Sequence, residues 1–214
     1  MNILILGGNG AIARLVSEQI INDQDAHNVN ISLFLRNTKR VDDLTKLSNI
    51  DSIEGDLDNY NSIVSAMDGQ DLIFDATGAA ATSERTKNII KAMHTTTIKR
   101  IISINNLGIY DEVPGEFGIW NAKMVGNHTR YGRESADLLE QSGLDETTLR
   151  LAWLTNGNDT DYELTKKGEN FKGTTVSRKS VADIVFKIVK NPNYLIHESV
   201  GINRPGTDGN RPQF

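Results

Sequence analysis

A short apolar run, Ile3-Leu4-Ile5-Leu6, stops at Gly7-Gly8-Asn9-Gly10, and apolar residues then recur at helical spacing as Ala11, Ile12, Leu15, Val16 and Ile20. A strand handed to a helix through glycines, this close to the first residue, leaves few architectures open. The bare backbone lets a ligand approach closely, and the unpaired N–H groups and positive end of the helix favour a phosphate. Gly7 and Gly10 supply the tight turn and the close approach. Ala13 takes the third small position, where a helix packs on its sheet. An ordinary glycine-rich turn is the competing reading. The strand–turn–helix setting favours a dinucleotide, with Gly7, Asn9, Gly10, Ala11 and Ile12 around its pyrophosphate.

The rest of the chain repeats the alternation. Strands are predicted at Asn30–Leu35, Ile50–Glu54, Asp71–Ala76, Lys99–Ile104 and Glu146–Leu154. Helices are predicted at Val41–Leu47, Asn59–Met67, Glu84–Met93 and, as one long element closed by Gly143, Asn121–Gln141. Residues 157–175 read as an irregular excursion. Ser180 with Asp183 resembles a capping box opening a helix to Lys190, and a last strand is expected over Tyr194–Gly201. Alternating strands and helices imply an α/β protein with a parallel sheet, and nearly continuous apolar strands imply helices on both faces. The expected fold is a Rossmann-type doubly wound parallel sheet, three-layer αβα, with strand order 3-2-1-4-5-6, a seventh strand near 195–201 and a small C-terminal substrate lobe. Residues 1–203 form one nucleotide-binding domain on this reading. Residues 155–176 and 192–203 build the substrate-side lobe, and 204–214 are a frayed tail.

Three positions after the glycine loop refine the ligand. A site for NAD usually ends its second strand in Asp or Glu, to hold the ribose 2′-hydroxyl. Here that strand ends Leu35-Arg36-Asn37. Arg36, with Lys39 and Arg40 near it, suits a 2′-phosphate and so NADP, with NAD the alternative; a solvated basic loop is the plainer reading. Asp56 and Leu57, after the third strand, are placed to border the adenine, and Asp56 or Asp58 can equally begin a helix. Asp75-Ala76-Thr77-Gly78-Ala79 closes the fourth strand, and Ala76, Thr77 and Gly78 line the ribose side.

Composition excludes much else. The 214 residues contain no Cys, which removes disulfides, thiolate metal sites and Cys nucleophiles, and fits a cytoplasmic protein. The net charge of -5 gives no basic excess for nucleic acid or membrane surfaces. The apolar runs are too short to span a bilayer, and the N-terminus has no signal-peptide pattern. The four His, at 27, 94, 128 and 197, lack ligand spacing, so no metal site is expected. The implied partner is a small-molecule substrate; the oligomeric state is open.

The glycine loop, Gly55-Asp56-Leu57 and Asp75-Ala76-Thr77-Gly78 together resemble the short-chain dehydrogenase/reductase superfamily. So do Ile101-Ile102-Ser103-Ile104-Asn105-Asn106, Ser142-Gly143-Leu144-Asp145 with Thr148-Leu149-Arg150, and Val176-Ser177-Arg178 with Val181-Ala182-Asp183. The chain is most similar to its atypical NmrA-like and NADH-flavin-reductase-like members. That superfamily uses a Ser after the fifth strand and a Tyr-x-x-x-Lys helix for proton transfer. Here Asn105 stands where the Ser is expected, and Tyr131-Gly132-Arg133-Glu134-Ser135 keeps the Tyr but not the Lys. Asn105 and Tyr131 are therefore the residues expected nearest any chemistry. An unassisted phenol, with a pKa of about 10, is a poor base at neutral pH. The resemblance implies hydride transfer to a small planar flavin or quinone, where no Tyr-Lys pair is needed, or to a carbonyl substrate. The alternative is a non-catalytic NADP(H)-binding redox sensor. Tyr110, Phe117, Trp120, Trp153 and Phe171 are available either to stack on a ligand or to pack the C-terminal part.

Overall fold

The computed structural model describes residues 1–78 and 83–214. In chain order the elements are β1 (Asn2–Leu6), α1 (Ala11–Asn22), β2 (Asn30–Leu35), β3 (Ile50–Glu54), α2 (Tyr60–Met67), β4 (Leu72–Asp75), α3 (Glu84–Thr96) and β5 (Arg100–Asn106). They continue with α4 (Gly115–Val125), α5 (His128–Glu140), β6 (Asp145–Leu151), β7 (Trp153–Thr155), β8 (Glu163–Lys166), β9 (Thr175–Ser177), α6 (Arg178–Lys190) and β10 (Glu198–Asn203). Eight strands form one sheet in the order β3-β2-β1-β4-β5-β6-β10-β8, and β7 pairs with β9 in a second. The pairings are parallel except β10 with β8. This is the doubly wound α/β arrangement, and its strand order reverses between β1 and β4, where such sheets bind ligands beyond the strands' carboxyl ends.

β1 shows why the sheet is covered on both sides. Ile3 and Ile5 join the apolar layer that holds α1 and α6, whereas Leu4 and Leu6 join the layer that holds α2 and α3. Alternate residues of a strand face opposite ways, and all four are fully buried. Each such side chain contributes about 1.5–3 kcal/mol of burial. No helix among the described residues is long and apolar enough to cross a membrane.

Several boundaries differ from those read off the sequence. Val41–Leu47 is not a helix: a single 3₁₀ turn, Thr38–Val41, is followed by turns. The long helix over Asn121–Gln141 begins earlier and breaks in two at Gly126, whose φ of +56° reverses the path. The strand over Glu146–Leu154 divides at Ala152, so that β6 stays in the main sheet and β7 enters the small one. The irregular excursion contains the edge strand β8, whose polar sequence Glu-Leu-Thr-Lys hid it. Helix α6 starts earlier than the capping-box pattern implied. Ser177 is its cap, accepting from the Ser180 N–H at 2.9 Å, and Asp183 pairs with Lys187 at 2.7 Å instead. The last strand is shifted to Glu198–Asn203. It lies in the main sheet beside β6, while β7 and β9 form the small sheet. The tail does not fray at Arg204, whose N–H reaches the Thr175 carbonyl at 2.7 Å, and the Thr174 hydroxyl donates to the Thr207 carbonyl at 2.6 Å.

Candidate functional site

At the end of β1 the Gly7 N–H and the Gly8 N–H both donate to the Phe34 carbonyl of β2, at 3.0 and 3.2 Å. Gly7 has φ +78°, and a Cβ there would stand 2.9 Å from the Thr77 methyl beyond β4. Gly8 lies against β2, where a Cβ would sit 2.7 Å from the Leu33 Cβ. Gly10 caps α1 without a side chain to satisfy the first-turn N–H groups. Those amides are orphan donors at the positive end of a helix, which suits a phosphate. Ile12 is buried in the core, so only its backbone is available to a ligand, whereas Ala11 is exposed.

These residues form one wall of a cleft of about 450 Å³. Of the sequence-predicted set, Gly7, Asn9, Gly10, Arg36, Asp56, Leu57 and Thr77 line it. Ala76 and Gly78 flank Thr77, with the Ala76 N–H on the Leu6 carbonyl, and Ala79 lies outside the described residues. Thr77 is fixed by Asp75, whose Oδ1 accepts from its N–H at 3.1 Å and its hydroxyl at 2.6 Å. Burial raises the Asp75 carboxyl above its ordinary value, against hydrogen bonds from Thr77 and Ser103. Asp56 caps the turn after β3 through Asp58 N–H, at 3.0 Å, and Asn59 begins α2.

Arg36 is exposed beyond β2 and lines the cleft with Arg40; neither guanidinium has a hydrogen bond or ion pair among the described residues. Lys39 is not part of the lining. Two arginines that the sequence reading missed organise the site. Arg14 of α1 donates to Asn9 Oδ1 at 3.3 and 3.1 Å, to the Arg40 carbonyl, and to both Asp43 carboxylate oxygens at 2.7 and 3.2 Å. It ties the glycine loop to the turn bearing Arg40. Arg85 of α3 lines the opposite side, paired in two-pronged fashion with Asp58 at 2.9 and 3.0 Å. That pairing holds the Asp58 carboxyl below its ordinary range, with Arg36 adding to the effect. Arg85 lies in the first turn of a helix that follows a strand's carboxyl end, the one signal that could have singled it out.

Asn105 and Tyr131 do not line this cleft. Asn105 is buried; its Nδ2 donates to the Gly132 carbonyl at 2.8 Å and its Oδ1 accepts from the Asn106 N–H at 2.8 Å. It fastens β5 to the turn of α5 that carries Tyr131. Tyr131 is half-buried, with the Arg130 guanidinium 4.9 Å from its ring centroid. Ser135, one helical turn on, is buried and accepts from the Thr86 hydroxyl at 3.0 Å. Phe117 stacks on Trp120, with centroids 6.1 Å apart, and Trp153 packs tilted against Trp120 at 5.0 Å. Arg178 donates to the Thr155 carbonyl and Asn156 Oδ1.

A reversed strand order, a side-chain-free turn feeding an uncapped helix, and free cations after the second strand define a nicotinamide-dinucleotide-binding protein of Rossmann type. The chain belongs to the NAD(P)H-binding family, whose model matches residues 7–192. It is similar to a Rossmann-fold NAD(P)-binding family protein from Shigella flexneri, at 37% identity and TM-score 0.83, covering 100% of this chain and 98% of that one. A short-chain dehydrogenase/reductase from Veillonella parvula DSM 2008, solved in complex with NADP, is similar at 28% identity and TM-score 0.92, covering 100% and 99%. Its ethylated form gives 28% and 0.91, covering 100% and 98%. No curated protein matches the chain. The neighbours agree with the short-chain dehydrogenase/reductase resemblance of the motifs.

Proposed function

We propose that this protein is an NADP(H)-dependent oxidoreductase of the atypical short-chain type, passing hydride to a small planar flavin or quinone, or to a carbonyl substrate. The observation that carries the NADP preference is the pair Arg36 and Arg40, facing the cleft with no ion pair among the described residues where an NAD site would place a carboxylate. The NADP complex of the Veillonella protein supports it. Gly7, Gly10 and the first-turn amides of α1 would hold the pyrophosphate, and Asn9, oriented by Arg14, would present its amide N–H beside them. Arg36 and Arg40 would hold the 2′-phosphate. Asp56 and Leu57 would border the adenine, and Ala76, Thr77 and Gly78 the ribose. When bound, the cofactor supplies the hydride. The chain's own residues bind and orient. No Lys stands by Tyr131 to make it a strong proton donor or base, which favours acceptors that need none.

A second reading, an NADP(H)-binding sensor without turnover, is favoured by Ser135 in place of Lys and by the Asn105 amide, engaged at both its N–H and its oxygen. Titration with NADPH and with NADH, followed by Trp fluorescence, tests the cofactor. Arg36→Ala is expected to weaken NADPH binding about tenfold to a hundredfold, the loss of a charge-assisted hydrogen bond, and to leave NADH nearly unchanged. Equal losses for both would remove the 2′-phosphate assignment. NADPH consumption with flavins, quinones and aldehydes then separates enzyme from sensor.

A further inference from the structure

A second cavity, of about 460 Å³, opens just beyond the carboxyl end of β5, between the β5–α4 loop and the helices α4 and α5. Gly108, Asp111, Val113, Gly118, Asn121 and Thr129 are among its walls. Asn121 is only 2% exposed. Its Oδ1 accepts from the Trp153 indole N–H at 2.9 Å, and because an indole nitrogen can only donate, this bond decides which end of the amide is oxygen. The Nδ2 end, with two N–H groups, has no hydrogen-bond partner among the described residues. It borders the cavity beside Gly108, where a Cβ would stand 3.0 Å from it. The amide is held from behind by Trp153, and its Nδ2 end faces the open cavity, where an acceptor atom can complete it.

The walls decide which acceptor. Among the described residues no basic side chain lines the cavity, and Asp111 places a carboxylate there. The Thr129 hydroxyl donates to the Gly126 carbonyl at 2.8 Å, leaving its oxygen able to accept. Val113, Ile119 and Ala122 supply apolar surface. An anionic ligand would meet the Asp111 carboxylate without a counter-charge, whereas a neutral carbonyl oxygen meets an unpartnered N–H donor beside the apolar side chains. We infer that this cavity receives the carbonyl end of an uncharged acceptor, and that Asn121, aimed by Trp153, is the residue that holds its oxygen. The inference rests on the oxidoreductase reading and names the substrate class within it: a neutral quinone or flavin-like carbonyl in place of a carboxylate-bearing one.

The test uses the whole chain with menadione, a neutral quinone, as probe and 2-methylnaphthalene as its carbonyl-free counterpart, each measured by equilibrium dialysis. The wild type should bind menadione at least tenfold more tightly than the hydrocarbon. In Asn121→Asp one carboxylate oxygen can still accept from Trp153, but the other replaces the donor. Menadione binding should fall about tenfold, hydrocarbon binding should stay, and NADPH affinity should be unchanged. Menadione bound equally by wild type and variant, or no better than the hydrocarbon, overturns the inference while NADPH binding keeps the cofactor reading intact. Loss of NADPH binding by the wild type would sink that reading instead. If Asn121→Asp does not fold, Asp111→Asn decides. Removing that charge should improve binding of 1,4-naphthoquinone-2-carboxylate at least threefold and leave menadione unchanged; no gain for the carboxylate overturns the charge argument.

Discussion

Around β1, β2 and β4 the molecule offers its ligand backbone: a turn without side chains, uncapped amides, and arginines that stand in solvent. Around β5, β6 and β10 it offers buried charge. Arg150, fully buried, pairs with Glu112 at 2.5 Å and donates to the Thr165 and Ser199 carbonyls at 2.9 and 3.3 Å. Glu112 in turn accepts from the Gly108 and Tyr110 N–H groups, at 3.1 and 2.8 Å, fixing the loop that follows β5. On the proposed reading the first region binds through groups every residue carries, and so depends on what is absent at Gly7, Gly8 and Gly10. The second depends on particular side chains meeting from segments far apart in the chain. Substitution should therefore separate stability from cofactor binding differently on the two sides.

The largest effect is expected at Arg150. Arg150→Met leaves the Glu112 carboxylate buried without its cation, a cost of about 3–5 kcal/mol, read as a melting temperature lower by roughly 10 °C. NADPH affinity of the folded fraction should stay within about twofold; a joint loss would mean that the two regions are one cooperative site. Next is Glu146, buried on β6, whose carboxyl is pushed up from 4.5 to about 7, first by burial and then by the charge of Glu140, against Thr148, Arg100 and Lys167. Because the folded state binds this proton more tightly, its stabilising effect is full below about 4.5 and is lost as pH rises through about 7. Melting curves from pH 4 to 9 should show the wild type falling relative to Glu146→Gln by about 2–3 kcal/mol at most, and parallel curves would refute the assignment.

On the other side, Gly8→Ala drives a methyl into Leu33 and should cost about 1–3 kcal/mol of stability, with NADPH binding weakened along with it. Unchanged stability and affinity would show that the loop gives way more easily than its packing implies. The smallest effect is expected from Tyr131→Phe. NADPH affinity should change by no more than about twofold, in keeping with a residue outside the cleft. Complete loss would make Tyr131 part of the cofactor site or its scaffold.

The same contrast decides what the sequence could convey. Strand order and the glycine loop were legible because apolar alternation and small residues at fixed spacing are local signals. Seven of the predicted cofactor residues line the cleft for that reason. Arg14 carries no local pattern and Arg85 only its place in a first helical turn, and each acts through a partner 29 or 27 residues away. The break at Gly126 was lost inside a helical periodicity that continues on both sides. β8 was lost because an edge strand, with one neighbour, needs fewer apolar residues than a central one. Asn105 was read as a replacement for a catalytic hydroxyl. Its hydrogen bond to Gly132, 27 residues away, belongs to tertiary structure and leaves no trace in the order of residues.

The bridge made by Arg14 carries one more implication. Arg36 and Arg40 sit outside both apolar layers, on a turn fastened to the glycine loop by a side chain other than their own. On the proposed reading, exchanging them should alter which electron donor is preferred while the Arg14 contacts to the turn remain. If Arg36 and Arg40 hold the 2′-phosphate as proposed, two surface codons would suffice to move this scaffold between phosphorylated and unphosphorylated pools of reductant, with Arg14 kept.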